Sequence, residues 1–199
     1  MNALIINAHL NYPDWSEGTL NESMTEEATS FFIKLGHTVT KTNVEAGYDA
    51  DEEVQKHVNA DVVILQTPIN WFGAPWIYKK YVDEVFNAGL HSKVLLDNDG
   101  RTRSDPTRQY GTGGHMQGKK FMVSATWNAP TAAFSNPDGV LFEGKSIDDL
   151  LLNITANYKF MGFDILPSYG IHDIFRDTTD IALGLEGLKK HLEMYVTMA

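Results

Sequence analysis

Three short stretches carry residue types that hold ligands better than they fill a core. The first, HLNYPDWSEGTLN from His9 to Asn21, places hydroxyls at Ser16 and Thr19 around Gly18 just before an apolar periodicity begins at Leu20. Hydroxyls, a glycine and a helix start are what a phosphate site needs. The same residues also read as a plain capped helix, with Thr19 as N-cap and Glu22 three residues on. The second, TPINWFGAPW from Thr67 to Trp76, sets Trp71 and Phe72 beside Gly73 in a short turn. There they offer a flat apolar surface, and the glycine lets backbone approach a guest. The third, TWNAP from Thr126 to Pro130, flanks Trp127 with Thr126 and Asn128. A ring system with a phosphate tail would use all three, and a flavin nucleotide has that shape. No Walker A motif and no GxGxxG occurs, which argues against P-loop and dinucleotide-type Rossmann chemistry.

Such loops can meet only if the elements between them bring their ends to one edge. Leu4–Ala8 is a short apolar strand. Leu20, Met24, Ala28, Phe31, Phe32 and Leu35 then repeat at helical spacing, with Gly36 placed to end the helix. Residues 37–42 alternate with β-branched content and read as an edge strand, 51–60 as a polar helix, and 61–66 as a buried strand. Pro75 opens a helix through Phe86, residues 89–118 form a long polar stretch, and Lys120–Thr126 is another strand. Ser146 and Asp149 suggest a capping box ahead of Leu150, Leu151, Ile154 and Tyr158. Residues 163–166 suggest a fifth strand, and Ile181, Leu185, Leu188, Leu192 and Tyr195 form a final helical stripe. Strands separated by helices imply right-handed crossovers and a parallel sheet covered on both faces. The expectation is a single α/β domain over residues 1–199, doubly wound, with five parallel strands in the flavodoxin-like order 2-1-3-4-5. Ligands of such sheets bind beyond the carboxyl ends of the strands.

The totals narrow the function further. The chain has 199 residues, 43% hydrophobic and 21% charged, with a formal net charge of −10. That charge opposes nucleic-acid binding, which needs a basic face. No apolar run approaches the roughly 20 residues that span a bilayer. The N-terminus lacks a signal peptide's basic start and reads as a first strand. The absence of cysteine excludes disulfides, thiolate metal sites and a cysteine nucleophile, and fits a reducing cytosol. The seven histidines show no metal-ligand spacing.

The segments TPINWFGAPWIYKKYVDEVF, DGRTRSDPTRQYGTGG and QGKKFMVSATWNAP closely resemble the modulator of drug activity B family of NAD(P)H-dependent quinone reductases. The resemblance implies a flavodoxin-like homodimer with FAD in each active site, both subunits contributing, and the cysteine-free composition fits a cytoplasmic location. NAD(P)H would deliver hydride to the flavin and depart before a quinone takes its place, a ping-pong cycle. By that resemblance His9, Thr19, Leu20 and Asn21 match positions around the flavin phosphates and ribityl chain. Pro68, Ile69, Asn70, Trp71 and Phe72 match the loop beneath the isoalloxazine, and Thr126, Trp127, Asn128 and Ala129 the loop beside its pyrimidine end. Backbone N–H groups around Trp127–Ala129 could stabilise charge near N1 and O2 of the reduced ring. Tyr110 with Gly111, Thr112, Gly113 and Gly114 matches a family motif near the site.

This chain departs from the related mammalian enzymes in having no tyrosine–histidine pair after its third loop, so Tyr12, Tyr110 and His115 are better read as structural or solvated than as proton donors. Lys79 and Lys80 read as a solvated helix face. Arg101, Arg103 and Arg108 form the one arginine cluster, suited equally to a phosphate or to a dimer contact. Alternatives are an FMN-dependent azo- or nitroreductase, a flavin-binding redox-sensing subunit of a membrane transport system, and, last, a flavodoxin-type electron carrier.

Overall fold

The computed structural model describes residues 1–197. Strands β1 (Asn2–Asn7), β3 (Val62–Pro68) and β4 (Lys120–Thr126) form the middle of one parallel sheet. They are near-continuous apolar runs because helices cover both of their faces. Alternate residues go to opposite layers. Leu4, Ile6, Val63, Leu65, Phe121 and Val123 face one core, while Ala3, Ile5, Val62, Ile64 and Met122 face the other. The second core is closed by α1 (Thr19–Lys34) and α6 (Ile181–Leu192), and the first by α2 (Ala50–Asn59), α3 (Trp76–His91) and α5 (Leu152–Phe160). Strand β2 (Thr38–Asn43) sits at the edge, where its mostly exposed Thr and Lys side chains belong.

The strand order is β2-β1-β3-β4-β5, as the alternation of elements suggested. The fifth position differs from expectation. It is filled twice: β5 (Asp164–Ile165) pairs with Lys120 and Phe121, and β6 (Tyr169–Ile171) pairs with Ser124–Thr126. Pro167 lies between them, and with no N–H to give it breaks the ladder. The sequence reading ended this strand at residue 166 and so missed its continuation to the far edge of the sheet.

The helix boundaries follow local chemistry. Gly36 (φ 77°) ends α1 in a Schellman arrangement, with its N–H on Ile33 O at 2.9 Å and that of His37 on Phe32 O at 3.0 Å. Ser146 and Asp149 make the expected reciprocal box, but the helix it starts, α4 (Ile147–Leu150), is a single turn interrupted at Leu151 before α5. Helix α3 runs past Phe86 to His91. The long segment after it is tied down by backbone bonds from His115 to Leu95 O and from Met116 to Met161 O.

Between β2, α2, α3 and α5 lies a polar network that is buried except for the partly exposed Lys56. The Glu53 carboxylate accepts from Thr42 Oγ1 at 2.9 Å, Tyr81 OH at 2.7 Å and Lys56 Nζ at 2.5 Å. His57 Nδ1 donates to Glu53 O at 2.8 Å, which leaves Nε2 to accept from Tyr158 OH at 3.3 Å. Burial holds His57 below the usual histidine range, against weaker raising effects of Glu53. His9 and His172 are lowered for the same reason. A histidine buried neutral supports the fold above its unfolded pKa of about 6.5, and that support is lost as pH falls towards the lower native value. Urea midpoints should therefore decline from pH 6.5 downward, and His57→Gln, which cannot titrate, should remove part of that decline. An unchanged pH profile in the variant would contradict this account.

Candidate active site

Pairing register decides which loops meet. Asn7 aligns with Gln66, Gln66 with Ser124, and Pro68 with Thr126, so β1, β3 and β4 release their loops at one edge. Bonds from Ala8 N–H to Gln66 O (2.9 Å) and from Ile69 N–H to Thr126 O (3.0 Å) carry the pairing to the start of the loops. Beyond that edge lies a cleft of about 370 Å³ lined by Ser16, Gly18, Thr19, Leu20, Asn21, Pro68, Ile69, Asn70, Trp71, Thr126 and Asn128. A second compartment of about 360 Å³ adjoins it, sharing Ile69, Trp71 and Asn128 and adding Phe72, Ala129, Leu141 and Phe142.

The first loop does not form the capping box its sequence permits. Gly18, in the left-handed region at φ 82°, occupies the N-cap position, Thr19 is already helical, and no side chain caps the helix. Glu22 instead accepts from Asn7 Nδ2 at 3.0 Å. The first-turn N–H groups of α1 thus keep their partial positive charge facing the cleft. Gly18 is required twice over, because a Cβ there would also lie 2.4 Å from the His9 ring. His9 is buried beneath it with Nε2 3.4 Å from Ser16 Oγ, so it shapes the loop from below and is not among the residues lining the main cleft.

The second loop is a two-residue turn closed by reciprocal bonds between Asn70 and Gly73, at 2.8 and 3.2 Å. Its central residues, Trp71 (φ 49°) and Phe72 (φ 68°), are both left-handed. That is the type I′ pattern, normally filled by Asn-Gly. A non-glycine residue in this region costs about 1–2 kcal/mol. The Trp71 side chain recovers none of it by burial, since 92% of the residue is exposed. Phe72 is half-exposed and meets Phe142 edge-on, with ring centroids 6.0 Å apart. Gly73 itself carries no positive φ, and a Cβ on it would meet nothing of the chain within 4 Å.

The third loop contributes differently from expectation. Trp127 is buried, edge-on to Phe134 at 5.1 Å and stacked over His172 at 6.4 Å. Its backbone N–H is taken by Ile171 O at 2.8 Å, whereas its buried indole Nε1–H has no hydrogen-bond partner among the described residues. It continues β4 into the core because β6 lies alongside, so it does not form the second exposed aromatic wall. Trp127 still lines the second compartment from its buried position, beside Asn128 and Ala129. Thr126 lines the main cleft, with a buried Oγ1 that has no hydrogen-bond partner among the described residues. An unpaired buried hydroxyl is costly and calls for a ligand or water.

Tyr110 stays apart from these residues. It packs against Phe160 at 5.1 Å with the Arg101 guanidinium over its ring, beside a separate groove between α3 and α5. The glycines after it serve close packing, since a Cβ on Gly113 or Gly114 would strike the backbone of Asn98 or Met161. Arg101 pairs with Asp99, and Arg108 donates to Thr112 O at 3.1 Å, so both are bound within their own loop. Lys79 and Lys80 pair with Asp83 and Glu84 on the helix surface.

Trp15, Ile174 and Phe175 also line the cleft and were not foreseen. Phe175 follows β6, and a parallel strand there would have placed it at the ligand edge. Recognising that strand was the missing signal. Among the described residues no group of acidic and histidine side chains is arranged to hold a metal ion.

The family model for the flavodoxin-like fold matches residues 1–193. The NADPH:quinone oxidoreductase MdaB of Haemophilus influenzae is 41% identical over 178 residues, 89% of this chain and 91% of that protein. Among solved structures, a candidate quinone reductase from Klebsiella pneumoniae superposes with a TM-score of 0.76 at 23% identity, covering 98% of this chain and 84% of that one. General stress protein 14 of Treponema denticola in complex with FMN superposes with a TM-score of 0.67 at 20% identity, covering 98% and 97%. At those identities the two structures bear on the fold alone, whereas the sequence match goes further: this chain belongs to the modulator of drug activity B family of NAD(P)H:quinone oxidoreductases, built on the flavodoxin-like fold.

Proposed function

We propose that the protein is a single-domain, FAD-dependent NAD(P)H:quinone oxidoreductase working in a ping-pong cycle. The observation that carries this reading is the exposed, strained Trp71–Phe72 turn facing the uncapped start of α1 across one cleft. Strain in a solvent-exposed aromatic pair is retained where a ligand uses it. The geometry fits a flavin nucleotide. Thr19, Leu20 and Asn21 present helix N–H groups to phosphate, Trp71 with Pro68, Ile69 and Asn70 gives the ring a surface, and the unpaired Thr126 hydroxyl and Asn128 offer polar partners at its far end. The bound flavin supplies two-electron hydride chemistry. With the Trp127 backbone N–H already engaged, the backbone N–H groups of Asn128 and Ala129 are left to donate to the ring's pyrimidine edge.

FAD is favoured over FMN by a third hollow of about 300 Å³ on the other side of Gly18 and Thr19, lined by Asn7, His9, Glu17, Glu22, Asn43 and Glu45. Carboxylates and amides suit ribose hydroxyls and an exocyclic amine better than a terminal phosphate dianion. A homodimer is supported by the groove between α3 and α5, where Leu90, Tyr110 and Phe160 leave apolar surface uncovered. The reading places the enzyme in the cytoplasm. No helix among the described residues is long and apolar enough to cross a membrane.

Heat release and chromatography of the cofactor test the reading directly, with FAD expected at about one per chain. FMN would favour an azo- or nitroreductase, and tight flavin binding without quinone turnover would favour a redox-sensing subunit. Protein that neither carries nor takes up flavin would refute the assignment. Gly18→Ala should lower both thermal stability and flavin retention, since a side chain there is strained and displaces His9. Replacing Trp71-Phe72 by Asn-Gly should raise stability by about 1–2 kcal/mol, since the turn type then suits its residues. The same change should weaken flavin binding, so a variant that gains stability and keeps full affinity would show the aromatics to be dispensable.

A further inference from the structure

We propose that Leu141 selects the electron acceptor, and that the acceptors it favours are uncharged rings bearing alkyl substituents. This rests on the reading above. The second compartment lies beyond Trp71 from the α1 N-terminus, where a substrate ring would follow the flavin ring. Its walls are Ile69, Phe72, Trp127, Ala133, Leu141 and Phe142, with the buried Trp127 indole N–H as a polar group and Asn128 as the one exposed polar side chain. No lysine or arginine lines it. Asp138, Glu143 and Lys145 are exposed on the loop that carries Leu141, but none of them lines the compartment. An anionic dye would meet no counter-charge there, while an alkyl group would remove apolar surface from water.

Leu141 is held in place. Ser135 N–H bonds to Lys145 O at 2.9 Å and closes the loop at its base. Ser135 (φ 52°), Glu143 (φ 47°) and Gly144 (φ 82°) turn the chain through left-handed conformations near its two ends. Phe142 is 5% exposed, stacked on Phe134 at 4.9 Å and edge-on to Phe72. The neighbouring Leu141 is thereby fixed at the mouth with 66% of its surface still uncovered. An apolar side chain held by a buried neighbour, against a compartment with few polar groups, is built to contact a ligand and contributes little to the core.

The test is calorimetric titration of the oxidised holoprotein with 2-methyl-1,4-naphthoquinone and with unsubstituted 1,4-benzoquinone, followed by turnover with NADPH. Leu141→Ser should raise the Kd and lower kcat/KM for the alkylated ring about tenfold, the scale of a lost apolar pocket contact. Both values for benzoquinone should stay within about twofold by the same argument. Leu141→Met, which keeps the apolar bulk, should restore the alkylated substrate, and the flavin content per chain should match wild type in both variants. Equal losses on both quinones, or none on either, would overturn the role of Leu141 while leaving quinone reduction intact. Wild-type protein that binds and reduces neither quinone would overturn this proposal together with the reading beneath it.

Discussion

The arrangement of this protein follows from three parallel strands pairing in register. With Asn7, Gln66 and Ser124 aligned across the sheet, the chain leaves β1, β3 and β4 at one edge, and each exit is followed by residues that could hold a ligand. Parallel pairing obliges each return to cross a face of the sheet, so helices cover both faces and the strands become fully apolar. The surface left for recognition is then the carboxyl edge. A shift of one residue in β3 would send Val63 and Leu65 to the wrong core and also move the Trp71 turn away from Thr126.

Three unusual features gather at that edge. Trp71 and Phe72 are left-handed, α1 starts at a left-handed glycine without a side-chain cap, and Thr126 keeps a buried hydroxyl unpaired. The left-handed aromatics and the unpaired hydroxyl are each unfavourable alone, by about 1–3 kcal/mol, and the uncapped helix start leaves its first N–H groups without side-chain partners. They share one cleft, which is why they read as a binding site and not as scattered defects.

Most of the fold was legible because it rests on period and punctuation. Buried parallel strands announce themselves as apolar runs, and Gly36 marked a helix end that the structure reproduces. Of the site, the loops were legible and the side-chain directions were not. Trp127 and Trp71 look alike in sequence, both aromatic and both just past a strand. The difference is tertiary: β6 lies beside β4 and extends its pairing through Trp127, drawing that ring inward, while the tight turn after β3 throws Trp71 out. Because β6 is only three residues long and follows a proline, it carries too little pattern to be seen, and Ile174 and Phe175 went unnoticed with it. The capping-box pattern at Thr19 misled for a related reason. Its Glu22 is drawn to Asn7, a partner distant in sequence that local rules cannot weigh.

The buried network around Glu53 has a bearing on the cleft. Tyr81 lies one and a half turns into α3, the helix that begins just after the strained turn, and its hydroxyl is fastened to the Glu53 carboxylate on α2. His57 on the same helix meets Tyr158 of α5, so three helices are cross-tied away from solvent. A helix anchored in this way, with Tyr78 of its first turn also buried, resists sliding along α2 to let Trp71 and Phe72 relax. The distortion is locked in as the protein folds, so an incoming ring meets a stiff ledge and loses little free energy to ordering it.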